Sequence, residues 1–173
     1  ARAGQAESLA AMGETNEAVR IWREQLADAP SAQERGWLEL QLAHGLVQGG
    51  ELEEATAAFE SLAASGDPDV RFQGLLGLAE LARLKGEVAR ARSLYQQVVD
   101  RADDAAFKVQ ALQELADLAL ESNQTAEARE LWRHLLAVVE PGSAEALDAR
   151  TALMGELARQ GQLDDALALC TES

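Results

Sequence analysis

Apart from 30 Asp and Glu, the side chains of this 173-residue chain best suited to bind a metal or move a proton near neutral pH are few: His44, His134 and Cys170. A structural zinc site needs about four ligands at matched spacing. Two distant histidines and one cysteine do not supply them, so no metal-binding residue is expected. His134 follows Glu130 by four residues, the ordinary spacing of a pair on one helix face. Carboxylate pairs stand at Glu53-Glu54, Asp103-Asp104 and Asp164-Asp165. Each falls where a helix is expected to start, and negative charge there favours the helix dipole. Adjacent residues on a helix point apart, so these are not ready-made acid/base pairs. Asn123-Gln124-Thr125 matches a glycosylation acceptor by pattern, but a conformational role for Asn123 explains it better. There is no phosphate loop, no nucleophile with a nearby base and no Gly-rich strand-to-helix turn. The expectation is a chain with no catalytic residue and no cofactor, not an enzyme.

With no catalytic constellation to organise the reading, the elements themselves become informative. Alanine and leucine fill 35 and 27 positions, and only 4% of residues are aromatic. That mixture favours helix over strand. The formal charge of −15 repels phosphate backbones and anionic lipid, which excludes nucleic acid as a natural partner. No apolar run approaches the ~18 residues of a membrane span, so direct membrane insertion is not expected. A lone cysteine excludes an internal disulfide framework and suits cytoplasm or periplasm equally.

One register repeats. An alanine followed four residues later by a larger side chain occurs as Ala18/Trp22, Ala55/Phe59, Ala91/Tyr95, Ala128/Trp132 and Ala166/Cys170. The alanines are 37, 36, 37 and 38 residues apart. Five residues before each stands Gly13, Gly50, Gly86, Asn123 or Gly161. Glycine and asparagine are the residues that best tolerate the left-handed conformation ending a helix. Leu42-Ala43, Leu78-Ala79 and Leu115-Ala116 precede them on a preceding helix, and Pro30, Pro68 and Pro141 punctuate the joins between repeats.

The pattern predicts five antiparallel helix pairs. First helices are expected at about 2–12, 32–48, 69–85, 105–121 and 144–160. Second helices are expected at about 15–28, 51–64, 87–101, 124–139 and 163–172. The units run about 1–30, 31–67, 68–103, 104–141 and 142–173. The chain opens at Ala1-Arg2-Ala3 inside a helical pattern and closes soon after another helix begins, so it reads as a piece of a longer protein.

The glycine, alanine and aromatic register, with the Leu-Ala pair upstream, resembles the tetratricopeptide repeat over nearly the whole chain. The period is 36–38 here rather than about 34, which suggests a divergent bacterial-type array with slightly longer helices. Asp67-Pro68-Asp69-Val70-Arg71 is similar to a HEAT-repeat signature, but it occurs once and the other register five times. The resemblance implies an all-α, right-handed α–α superhelix, a solenoid of stacked pairs whose first helices line a concave groove. Carried onto this register, it implies a protein-binding groove of Trp37, Leu40, His44, Leu76, Glu80, Arg83, Gln113 and Asp117. Trp37 is either an anchor for a ligand or packing against the neighbouring unit. The Lys, Arg and Asn that clamp a C-terminal carboxylate in chaperone adaptors of this family are absent. The implied function is a non-catalytic scaffold for a protein or peptide of basic or amphipathic character. Other readings are an envelope accessory module handling a polysaccharide or periplasmic partner, and a ligand-sensing regulatory array.

Overall fold

The computed structural model describes residues 2–29 and 31–163. The expected helix at 163–172, with Ala166, Cys170 and Asp164-Asp165, lies outside the described residues but for Leu163, and Pro30 is also outside. Among the described residues there are nine helices and no strand. The first helices are α1 (Arg2–Ala11), α3 (Ala32–Gln48), α5 (Pro68–Leu84), α7 (Ala105–Glu121) and α9 (Ala144–Arg159). The second helices are α2 (Thr15–Ala27), α4 (Leu52–Ala63), α6 (Val88–Arg101) and α8 (Thr125–Val138). Each falls within a residue or two of its expected span.

Two kinds of turn alternate along the chain. Within a pair, the turn residue takes positive φ: 82° at Gly13, 79° at Gly50, 74° at Gly86, 58° at Asn123 and 76° at Gly161. The next residue's N–H then reaches back five residues, as from Glu51 to the Leu46 carbonyl, at 2.7–2.9 Å in all five turns. This satisfies carbonyls that a helix end would otherwise leave open. That same residue's carbonyl starts the second helix. It accepts from the N–H of Ala18, Ala55, Ala91 or Ala128 at 3.0–3.2 Å. The turn thus fixes where the second helix starts, and full burial at its first turn selects the small alanine there.

Between pairs, side chains do the capping. Ser31 accepts from the Glu34 N–H, Asp67 from Asp69, Asp104 from Ala106 and Ser143 from Ala146, at 2.8–3.1 Å. By contrast Glu14, Glu51 and Gln124, at the starts of α2, α4 and α8, make no such side-chain bond.

The chain forms two compact units, residues 1–94 and 95–173, divided within α6. In both, the small-then-large register is buried. Ala18, Ala55, Ala91 and Ala128 are fully covered, and Trp22, Phe59, Tyr95 and Trp132 are at most 5% exposed. In the first unit the rings press on glycines of the following first helix. A Cβ on Gly77 would stand 2.2 Å from the Phe59 ring, and one on Gly45 2.6 Å from the Trp22 ring. A Cβ on Gly74 would likewise stand 2.3 Å from the Ala63 backbone nitrogen of α4. These contacts draw α4 against α5 and α2 against α3.

Candidate functional site

The α-helical period places Trp37, Leu40 and His44 on one face of α3, and Leu76, Glu80 and Arg83 on one face of α5. The two helices are neighbours in the first unit. The mixed chemistry of this face follows from its edges. Trp37 is 37% exposed and Leu40 half-buried. Glu80 is exposed and Arg83 half-buried. Leu76, at 8% exposed, belongs to the core, which leaves Trp37 as the large apolar side chain with surface to offer.

His44 is exposed on this face, with one side of its ring against the core. Its ring meets Phe59 edge-on, with centroids 5.4 Å apart. Desolvation there lowers its pKa below the ordinary value, and the Glu80 carboxylate partly offsets the effect. The imidazole therefore sits neutral at pH 7.

Gln113 and Asp117 lie in the second unit, on α7. They line a cleft of about 270 Å³ together with Glu114 of α7, Trp132 and Leu135 of α8, and Asp148, Ala149 and Ala152 of α9. Tyr95 donates its hydroxyl to a Glu114 oxygen at 3.4 Å. A second groove, richer in apolar surface, runs between the start of α7 and the end of α8, past Val109, Val138 and Val139.

The sequence reading named Gln113 and Asp117, assigned Trp132 only to packing, and gave Glu114 no role. The signal was present in the register. Glu114 and Ala152 stand nine residues before Asn123 and Gly161, where Gly77 stands before Gly86. Among the described residues no three His, Cys, Asp or Glu side chains are grouped to hold a metal ion. No described helix is long and apolar enough to cross a membrane.

Residues 73–105 match the family model for the tetratricopeptide repeat. The chain has the tetratricopeptide-repeat fold. A Podosopora anserina chain of nearly identical TPR-like repeats superposes with a TM-score of 0.71 at 21% identity, over 99% of this chain and 90% of that one. BtubC from P. vanneervenii gives 0.75 at 18% identity, over 95% and 73%. MamA gives 0.65 at 14% identity, over 95% and 89%. No curated protein sequence matches the chain. Tetratricopeptide arrays are in general scaffolds for protein–protein interaction.

Proposed function

We propose that this tetratricopeptide chain is a non-catalytic scaffold that holds a protein or peptide on the inner faces of its first helices. In the first unit the surface consists of Trp37, Leu40, His44, Glu80 and Arg83, without the buried Leu76; in the second unit the register points to Gln113 and Asp117. One observation carries the reading. The aromatic rings of the second helices are buried, while Trp37, on a first helix, keeps 37% of its surface in solvent. An aromatic group with a polar rim is the usual composition of an interface anchor. Glu80 and Asp117 would favour a basic or amide-bearing partner and speed its encounter at low salt.

The test is a cross-linking comparison. The unmodified chain and a Trp37→Ala, Glu80→Arg double variant are immobilised side by side, with helicity checked by circular dichroism. Partners captured by the first and lost by the well-folded second bear out the reading. If every captured protein is retained equally, the inner face is not the binding surface.

A further inference from the structure

Building on that scaffold reading, we infer that the groove between the start of α7 and the end of α8 seats a large aliphatic side chain of the partner that stands next to a lysine or arginine. The groove encloses about 510 Å³, within the ~300–1,000 Å³ of ordinary ligand pockets. Its walls have surface to offer. Ala105 and Ala106 are exposed, Val138 and Val139 are half-buried, and the buried Val109 lies among them.

The first unit indicates what such a place accepts. There Gly36, fourteen residues before Gly50, is met by Val70, sixteen residues before Gly86. A Cβ on Gly36 would stand 3.1 Å from a Val70 methyl carbon. In the second unit the same two positions are Val109, before Asn123, and Glu145, before Gly161. Both line the groove, and Glu145 is exposed where Val70 is half-buried. Gln110, at the register position of Trp37, also lines it. The second unit thus carries a carboxylate in place of the valine that covers a first helix. An aliphatic group brought by another molecule would take that valine's place against Val138 and Val139.

The rim selects what accompanies it. Glu140 and Glu145 are exposed, and neither carboxylate is hydrogen-bonded or ion-paired among the described residues. Asp103 and Asp104, also exposed, immediately precede Ala105. No Lys, Arg or His is among the lining residues. The helix starts of α7 and α9 could attract an anion, but the Asp104 and Ser143 side chains already accept from the N–H groups of Ala106 and Ala146. A cation beside the apolar group is therefore favoured and a carboxylate opposed, since charge at a rim steers and selects. The stem of a lysine or arginine can also lie along the apolar wall while its head stays in water.

The experiment titrates a blocked pentapeptide, acetyl-Ala-Lys-Leu-Lys-Ala-amide, into the isotope-labelled full chain at low salt. Saturable shifts are expected at the methyl groups of Val109, Val138 and Val139 and at the side-chain amide of Gln110, with none at the Trp37 indole. Replacing the leucine by serine should weaken binding about tenfold or more, and replacing both lysines by glutamate about fivefold or more. A Glu140→Gln, Glu145→Gln double variant, changed only at exposed positions, should bind the lysine peptide about twofold to tenfold more weakly. Val139→Asn, with helicity checked by circular dichroism, should weaken it as well. No saturable response, shifts centred elsewhere, or an equal response to the serine or glutamate peptide overturns the proposal. So does concentration-dependent dimerisation that shifts the same valine methyls, which would make a second copy the occupant. The Trp37→Ala, Glu80→Arg variant should keep the peptide response. Peptide failure with partner capture intact therefore removes this seat alone, whereas failure of capture removes the scaffold reading.

Discussion

The two units place an aromatic ring at the same point of the register and surround it differently. In the first, Phe59 faces glycine, and the ring occupies the volume that a side chain would take. In the second, Trp132 has Ala149 and Ala152 as neighbours and an open cleft beside them. A repeat thus specifies where a large side chain sits, while the residues facing it decide whether that place is filled core or recess. Wall chemistry follows the same division. Glu114 stands where Gly77 does, and its carboxylate accepts from the Tyr95 hydroxyl.

This contrast can be broken most forcefully at the ring itself. Phe59→Ala should cost about 3–5 kcal/mol, the usual loss for emptying a large buried aromatic site. Chemical denaturation that finds less than about 1 kcal/mol would show that the first unit is not tightly filled. Next in size is a matched pair. Gly77→Val should cost about 3 kcal/mol, since even its Cβ stands 2.2 Å from Phe59. Ala152→Val adds bulk toward an open cleft and should cost under about 1 kcal/mol. Equal losses in the two variants would erase the distinction between the walls.

A smaller comparison concerns the turns, which both units share. Gly50→Ala forces a Cβ into positive φ and should cost about 1–2 kcal/mol. Asn123→Gly, at the same point of the second unit, should be neutral or stabilising by a few tenths of a kcal/mol. Thermal melts of the two variants moving in the same direction by the same amount would contradict the shared geometry.

The smallest effect expected is a pH dependence confined to the first unit. Burial lowers the His44 pKa relative to the unfolded chain, so between the two values the unfolded state binds more protons. The stability that neutral His44 contributes is present above the unfolded value, near 6.5, and is lost as pH falls through the lowered folded value. His44→Gln should therefore lose more relative stability at pH 7.5 than at pH 5, in paired urea titrations. An unchanged difference between the two pH values would mean that proton binding at His44 is not coupled to folding.

The helices and their joins were legible from sequence because each rests on a local requirement. Positive φ restricts Gly13, Gly50, Gly86, Asn123 and Gly161 to a narrow choice of residue, and the turn sets where the next helix begins and so where its buried alanine falls. Burial of Trp22, Phe59, Tyr95 and Trp132 was legible for a related reason, since each follows its buried alanine by one helical turn. The cleft was not. It depends on how little of the space beside Trp132 is occupied by Ala149 and Ala152, which is a fact about volume between helices and leaves no periodic trace. Leu76 illustrates the same limit. Its register position implies a groove, but its side chain is covered, 8% exposed, because contact between helices decides orientation within a face.

The left-handed turn also bears on how the chain acquires its structure. Each one closes with a hydrogen bond spanning only five residues, and the helices it joins are consecutive in sequence. A pair can begin to form without waiting for a distant segment to arrive, so little loop entropy is lost before contacts begin to reward it. Helical proteins dominated by such local contacts fold in microseconds to milliseconds. Any of the hairpins can serve as the first to form, with its neighbours condensing onto it in turn.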